Sequence, residues 1–448
     1  MHIHILGICG TFMGSLAVLA KDLGFKVTGS DLNAYPPISD QLEDLNIEVI
    51  PNYDIEQLQQ EPDLIVIGNV MSRGMPIIEE ILRQGLAYTS GPLWLKENVL
   101  INKKVIAISG THGKTTTASL ITFLLKEIGI DPGFLIGGVS KDLKRSSNIG
   151  RDPIFIIEAD EYDTAFFDKR SKFIHYKPDV LLINNIEFDH ADIFKDIDQI
   201  IWQFHQLLRT LSPNTTIVAN WDDHNIQQLF KMGVWSGIDY FSSKIDQKTK
   251  WACVENDQGQ YNLFCNDEKI DQMQLKLLGE HNMMNLTAAI AVLSNLELDP
   301  KDLIAGAKKF TGVKRRLEYL GQFSKIDLFD DFAHHPTSIK ASIAAVKSTL
   351  NSSSLYVVVE LASNTMRKGS LKSELKQSFV DVDYAWILDS ENIQWDIKEE
   401  FAEIQNVSIL QTLGDLPDQI KSKIKPGDSF IIMTNSDSMK ISNILKKR

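Results

Sequence analysis

The segment GTHGKTTT, which begins at Gly110, has the residue types needed to bind the phosphates of a nucleotide. It follows the apolar run KVIAIS and precedes a helical pattern that starts near Lys114. Backbone N–H groups at a helix N-terminus attract anions, a lysine neutralises phosphate oxygens, and the next hydroxyl can bind Mg²⁺. The standard phosphate loop requires a glycine where this chain has Ile108. We therefore predict a variant nucleotide loop comprising Gly110, Thr111, His112, Gly113, Lys114, Thr115 and Thr116.

Two further polar residues follow apolar runs that are typical of strands. Glu158 lies in PIFIIEADEYD, and His190 ends VLLINNIEFDH. Because the carboxyl ends of parallel strands meet at one edge of a sheet, we predict that Thr115, Glu158 and His190 form a metal site beside the γ-phosphate. Taken singly, Glu158 is better explained by a solvated acidic turn and His190 by a structural loop histidine. The set, together with Lys114, favours a metal.

A third polar group, DDFAHHPTS, spans residues 330–338 and follows another apolar run. Two acids and two histidines are too polar for a core, so this group either caps a helix or reaches an active site. Arg315 and Arg316 precede it and could bind phosphate, although a solvated linker is the alternative.

Three successive α/β segments must position these residues. Near the start of residues 1–102, HIHILGICGTFMG and the residues up to Asp31 read as strand, glycine turn, helix and strand. This order is typical of a dinucleotide-type unit, but the glycine spacing departs from GxGxxG, so a tight turn in any α/β domain is an equal alternative. Residues 103–312 repeat the pattern around the Gly110 loop, and residues 313–448 alternate strands and helices again. We predict an α/β fold of three successive domains, of which the central one carries the phosphate loop at the edge of an open, mostly parallel sheet.

Composition narrows the class of protein. The 448 residues carry a net charge of −13, which argues against sequence-independent nucleic-acid binding. The three cysteines show no CxxC pair, and we find neither a secretory signal nor an apolar stretch of about 18 residues. We expect a cytoplasmic protein, monomeric or homodimeric, that contacts neither membrane nor nucleic acid.

Four motifs along the chain resemble those of the Mur ligases, which build the peptide of the bacterial cell wall with ATP. GTHGKTTT looks like the ATP loop of that family, HILGICGTFMG like its UDP-sugar segment, LGEHNMMNLTAA like its adenine-binding helix start, and DDFAHHPTS like its interdomain motif. Within the family, EADEYDTAFFDKRSKFIHY and SNTM are most similar to the branch that attaches L-alanyl-γ-D-glutamyl-meso-diaminopimelate to UDP-N-acetylmuramate. That branch implies wall recycling in a Gram-negative bacterium. The family implies an N-terminal Rossmann-like domain for the UDP-sugar, a central phosphate-loop ATPase domain and a C-terminal Rossmann-like domain.

The resemblance also implies roles for individual residues. Lys114, His190 and His335 would be catalytic, with His335 near the incoming amine. The nucleotide would also contact His281, Asn282, Asn285, Arg316, Asp330 and Asp331. The UDP-sugar would contact Gly10, Thr11, Phe12, Met13, Asp31, Ser72 and Arg73. The peptide would contact His335, Ser363, Asn364 and Thr365.

The implied reaction is amide formation with ATP and Mg²⁺, through an acyl phosphate of UDP-N-acetylmuramate. The nearest alternative is a ligase of the same family that adds free L-alanine in wall synthesis. A nicotinamide-dependent oxidoreductase is a remote alternative, because it has no use for Gly-Lys-Thr-Thr followed by metal ligands. A regulatory nucleotide switch is a third, and it would act without a UDP-sugar.

Overall fold

The computed structural model describes residues 1–34, 38–138, 140–350, 353–389 and 392–446. They form two compact units. The first contains Met1–Glu187, Asp198–Gln274 and Asn285–Phe310. The second contains Phe188–Ile197, Leu275–Met284 and the chain from Thr311 onward. The second unit therefore takes two short segments from the middle of the chain.

The first sheet has five parallel strands in the order β3-β2-β1-β4-β5. Its elements are β1 His2–Leu6, α1 Thr11–Asp22, β2 Lys26–Ser30, α2 Ile38–Asp44, β3 Glu48–Ile50, β4 Leu64–Ile67, α3 Pro76–Gln84, β5 Tyr88–Ser90 and α4 Gly91–Leu95. The chain leaves β1 toward β2 and β3 and later returns on the other side as β4. The loop after β1 therefore lies where strand order reverses, which is where open α/β sheets bind ligands.

The second sheet has ten strands in the order β17-β16-β15-β14-β13-β12-β6-β9-β7-β8. Its elements, with the β10–β11 hairpin, are β6 Lys104–Ser109, α5 Lys114–Glu127, β7 Gly133–Leu135, β8 Ser147–Asn148, β9 Ile154–Ala159, β10 Asp163–Ala165, β11 Asp168–Ser171, β12 Val180–Ile183, α6 Ile197–Leu208, β13 Thr216–Asn220, α7 His224–Lys231, β14 Gly237–Ser242, β15 Trp251–Glu255, β16 Tyr261–Cys265, β17 Glu268–Met273, α8 Glu280–Ser294 and α9 Pro300–Ala307. β6 pairs in parallel with β9 and β12, so the ends of these strands lie side by side.

The third sheet has six strands in the order β18-β19-β23-β20-β21-β22, and only the β18–β19 pair is antiparallel. Its elements are β18 Glu318–Phe323, β19 Ile326–Asp331, α10 Pro336–Lys347, β20 Leu355–Glu360, α11 Asn364–Lys368, α12 Lys372–Gln377, β21 Tyr384–Leu388, α13 Ile397–Phe401, β22 Val407–Leu410, α14 Leu416–Lys423, β23 Ser429–Met433 and α15 Ser438–Lys446. Three mostly parallel sheets alternating with helices confirm the predicted α/β fold. Within the described ranges, no helix is long and apolar enough to cross a membrane.

Candidate functional site

The loop between β6 and α5 depends on two glycines with left-handed backbone conformations. Gly110 has φ +132° and Gly113 has φ +82°. A Cβ added at Gly113 would lie 2.6 Å from Asn184 Nδ2 and 2.7 Å from Asn285 Oδ1, closer than side chains tolerate. Ile108, where the standard pattern has glycine, is a fully buried residue of β6. The loop therefore makes its turn after the strand has ended, without a glycine at position 108.

A pair of asparagines after β12 holds this loop in place. His112 N donates to Asn185 Oδ1 at 2.7 Å, and Thr111 N donates to the Asn185 carbonyl at 3.1 Å. Asn184 Nδ2 donates to Asn285 Oδ1 at 3.0 Å. Sequence reasoning missed Asn184 and Asn185 as supporting residues. Their position at the end of the apolar run VLLI was the available signal.

Lys114, the first residue of α5, folds back over the loop. Its Nζ donates to the Gly110 carbonyl at 2.6 Å. The same atom lies 3.5 Å from Asp160 Oδ1 and 3.6 Å from Glu161 Oε2. The lysine thus connects the glycine loop to the acidic segment that follows β9.

Thr115 and Glu158 come together as predicted for two metal ligands. Thr115 Oγ1 donates to Glu158 Oε2 at 3.2 Å, and both residues are buried. Gly137 N donates to the other carboxylate oxygen of Glu158 at 2.7 Å, which orients the carboxylate. Mg²⁺ prefers oxygen ligands of this type, so the pair fits the ion. The metal assignment itself stays a prediction.

His190, the third predicted ligand, belongs to the second unit and has a left-handed backbone with φ +56°. Its Nε2 lies 3.9 Å from Asp189 Oδ2, and His334 Nε2 lies at the same distance from that oxygen. Burial alone would raise the pKa of Asp189, but the His190 and His334 imidazoles and a hydroxyl hydrogen bond hold it below its ordinary value. Asp189 is therefore an anion that orients imidazoles, a role that the sequence did not suggest.

Three of the four predicted peptide-binding residues, Ser363, Asn364 and Thr365, lie at the start of α11. Ser363 caps this helix, accepting from Met366 N at 3.4 Å, and Asn364 is exposed. Thr365 is buried, and its hydroxyl donates to Asp189 Oδ1 at 2.6 Å. Thr365 therefore supports the segment that carries His190, while Asn364 is open to a ligand.

His335 is the N-cap of α10 and is buried. Its Nδ1 accepts from Thr337 N at 3.3 Å, and its Nε2 donates to the Phe188 carbonyl at 3.1 Å. Both ring nitrogens are engaged in this structure. A general-base role would require His335 to release one of these contacts, and that role stays a prediction.

The two acids at the end of β19 have separate environments. Asp331 accepts from Ser342 Oγ at 2.6 Å and so ties β19 to α10. Asp330 accepts from Ser438 Oγ at 2.7 Å. Burial raises the pKa of both carboxyl groups. Asp331 thus has a clear structural role, whereas the nucleotide contact assigned to either acid is untested.

The remaining predicted nucleotide residues of the second unit lie near the starts of α8 and β18. Asn282 Nδ2 donates to the Leu278 carbonyl at 2.7 Å, and burial lowers the pKa of His281 to about 4. The guanidinium of Arg316 lies 4.9 Å from the centre of the Phe332 ring. His281 is accordingly neutral at physiological pH.

The predicted UDP-sugar segment, Gly10–Met13, forms the start of α1 at the switch point of the first sheet. Asp31 Oδ2 accepts from Cys9 N at 2.9 Å, so this acid holds the loop that precedes α1. Ser72 and Arg73 follow β4, and Arg73 makes a two-pronged ion pair with Glu79 at 2.9 and 3.1 Å. The structure thus places these residues on neighbouring loops of one sheet edge.

Comparison with known protein families matches all three segments. The model described as Mur ligase family, catalytic domain, covers residues 2–101, and the Mur ligase middle domain covers residues 108–293. The model described as Mur ligase, glutamate ligase domain, covers residues 315–435.

Similar proteins extend over nearly the whole chain. Two bacterial proteins carry the name UDP-N-acetylmuramate–L-alanyl-γ-D-glutamyl-meso-2,6-diaminoheptandioate ligase. The Haemophilus influenzae protein is 41% identical over 442 residues, covering 97% of this chain and 96% of its own. The Escherichia coli protein is 42% identical over 439 residues, covering 97% and 95%. The crystal structure of a murein peptide ligase from Psychrobacter arcticus has a TM-score of 0.77 at 39% identity, covering 100% and 99%.

Proposed function

Because the chain belongs to the Mur ligase family, we propose that it is an ATP-dependent ligase that joins L-alanyl-γ-D-glutamyl-meso-diaminopimelate to UDP-N-acetylmuramate. The family predicted from the sequence motifs is confirmed. One observation carries the chemistry: Lys114 and Thr115 open a helix beside a glycine loop, and Glu158 lies 3.2 Å from the Thr115 hydroxyl. The choice of tripeptide is supported by the relatives named for that reaction.

Phosphoryl transfer is the first chemical step. An oxygen of the lactyl carboxylate attacks the γ-phosphorus of ATP, and the bond to the β-phosphate oxygen breaks, so the carboxylate becomes an acyl phosphate and ADP leaves. Lys114 neutralises charge on the transferred group, and the loop amides hold the phosphates. Thr115 and Glu158 would hold Mg²⁺, which when bound neutralises further phosphate charge.

Amide formation is the second step. The free amine of the tripeptide attacks the acyl carbon, and the tetrahedral intermediate expels phosphate while the nitrogen loses a proton. We assign the proton to His335 as a hypothesis, and this role requires its Nδ1 to release the Thr337 N–H from which it accepts. His190 is a proposed ligand for a second Mg²⁺.

An assay of ADP release tests the proposal. The purified chain is given ATP, Mg²⁺ and UDP-N-acetylmuramate, with the tripeptide, with free L-alanine or with neither. We expect rapid ADP release only with the tripeptide, together with a ligated product identified by mass spectrometry. Lys114→Ala should slow release on the order of 10²- to 10³-fold, whereas Lys126→Ala, at the far end of α5, should retain it.

Each other outcome contradicts a specific part of the proposal. Preference for L-alanine would replace the tripeptide by the alternative substrate of the same family. ADP release without UDP-N-acetylmuramate would indicate a nucleotide switch rather than a ligase. Binding of a nicotinamide dinucleotide without ATP hydrolysis would favour an oxidoreductase.

A further inference from the structure

The β10–β11 hairpin belongs to the chain segment that forms the second sheet, and it packs against the first sheet. Phe166, at the tip of the hairpin, packs against an apolar cluster that includes Leu6 and Met71 of the first sheet. The Phe167 ring lies 5.0 Å from the Tyr88 ring in an edge-to-face arrangement. The hairpin therefore positions the residue that follows it, Lys172, relative to both sheets.

Lys172 is a buried lysine whose ammonium group lies beside two aromatic rings. The residue is 7% exposed. Its Nζ lies 5.0 Å from the centre of the Phe12 ring and 5.3 Å from that of Tyr162. The backbone N–H of Lys172 donates to the Tyr162 carbonyl at 2.9 Å, whereas its ammonium makes no hydrogen bond and no ion pair among the residues that the structure describes. A buried ammonium has three donors to satisfy, so this arrangement points to an anion that is bound in the working enzyme.

The electrostatic surroundings connect Lys172 with the phosphate loop. Burial lowers the pKa of Lys172, whereas nearby carboxylates oppose the lowering. Two of these, Asp160 and Glu161, are the same carboxylates that lie 3.5 and 3.6 Å from Lys114 Nζ. Lys114 and Lys172 thus flank one acidic segment, and Lys172 is the lysine that also contacts Phe12 of the predicted UDP-sugar segment.

We propose that the Lys172 ammonium binds the lactyl carboxylate of UDP-N-acetylmuramate and positions it for phosphoryl transfer. This inference rests on the proposed function. The reacting carboxylate must lie between the sugar nucleotide and the γ-phosphate. Lys172 lies beside Phe12 of the predicted UDP-sugar segment, and it shares the nearby carboxylates with Lys114 of the phosphate loop. One carboxylate oxygen accepts a hydrogen bond from the ammonium, and the other attacks phosphorus. Lys172 keeps its proton throughout, and its hydrogen bond then goes to the carbonyl oxygen of the acyl phosphate.

Matched ligands separate this role from a purely structural one. Calorimetry measures the Kd of UDP-N-acetylmuramate and of its lactyl carboxamide, which has the same shape without the charge. We expect Lys172→Met to raise the Kd of the acid about 10- to 100-fold, the usual range for a lost charged hydrogen bond. The Kd of the carboxamide should change less than about twofold. Lys172→Arg should recover part of the loss.

Control variants and thermal unfolding show whether a higher Kd comes from misfolding rather than from the lost ammonium. Lys169→Met changes an exposed lysine of the same hairpin and should alter neither Kd. Lys172→Gln provides a second neutral side chain, and thermal unfolding of every variant reports on the fold. Removal of a buried charge in favour of an apolar side chain of similar length is often neutral or stabilising, so we expect Lys172→Met to fold.

Three outcomes overturn the inference. Equal weakening of acid and carboxamide means that Lys172 only supports Phe12 and Tyr162. An unchanged Kd of the acid in both neutral variants means that the carboxylate binds elsewhere. If the wild-type chain binds neither ligand, the proposed function itself fails, and this inference fails with it; in the first two cases the proposed function stands.

Discussion

Replacement of Gly113 by alanine tests the account of the nucleotide loop. Gly113 has φ +82°, and a Cβ there would lie 2.6 Å from Asn184 Nδ2 and 2.7 Å from Asn285 Oδ1. These two amides are buried and form a 3.0 Å hydrogen bond with each other. Gly113→Ala must therefore hold an alanine in the left-handed region and also separate this pair.

The two effects can be estimated separately. An alanine in a left-handed conformation costs about 1–2 kcal/mol. A buried amide left without its partner costs about 1–3 kcal/mol more. Gly113→Ala should thus lower the free energy of unfolding by about 2–5 kcal/mol. Gly129→Ala is the matched control, since Gly129 has φ +86° with no atom within 4 Å of the added Cβ, and it should show only the backbone cost.

Guanidinium unfolding of the single and double variants measures these terms. In an Asn285→Ala background the cost of Gly113→Ala should fall by about 1 kcal/mol or more, because Asn184 is then free to turn away. The KM for ATP should rise in Gly113→Ala and remain unchanged in Gly129→Ala. The reasoning is refuted if Gly113→Ala costs no more than Gly129→Ala, or if Asn285→Ala leaves its cost unchanged.

Four further predictions concern single residues. Lys114→Ala should lower kcat on the order of 10²- to 10³-fold, because charge neutralisation on the transferred phosphoryl group is lost. Calorimetry should show an unchanged affinity for UDP-N-acetylmuramate, and undiminished turnover would contradict the assignment. Glu158→Gln should raise the Mg²⁺ concentration for half-maximal ADP release about tenfold or more, because a neutral amide binds Mg²⁺ more weakly than a carboxylate. An unchanged Mg²⁺ titration would exclude Glu158 as a ligand. His190→Ala should raise the Mg²⁺ requirement strongly or abolish product, and a normal titration curve would remove His190 from the metal site. Burial lowers the pKa of His281 from 6.5 to about 4, so folding favours the neutral imidazole. The contribution of His281 to the free energy of unfolding is therefore complete above pH 6.5, and it declines by up to about 3 kcal/mol as the pH falls to about 4. His281→Asn should flatten that decline in unfolding experiments, and an equal decline in both proteins would contradict the assignment.

Local patterns in the sequence were sufficient for the fold class and for the phosphate loop. An apolar run, a glycine turn and a helix start are set by neighbouring residues, so Gly110–Lys114 could be located without tertiary information. The meeting of Thr115 and Glu158 also followed from the sequence, because parallel strands such as β6 and β9 end at one edge of their sheet. The missing glycine at position 108 is explained by the same local rule, since Ile108 still lies within β6.

Only the tertiary structure decided which side chains meet across long stretches of chain. Thr365 was assigned to the peptide by its motif, yet its hydroxyl contacts Asp189, which is 176 residues away. Lys172 was not among the predicted site residues, and only the packing of the hairpin against the first sheet buried it beside Phe12. Periodicity predicts which face of an element is covered, but it does not say by which residue. That choice depends on how elements distant in sequence pack, because each side chain can be satisfied by any suitable neighbour that the packing brings within reach.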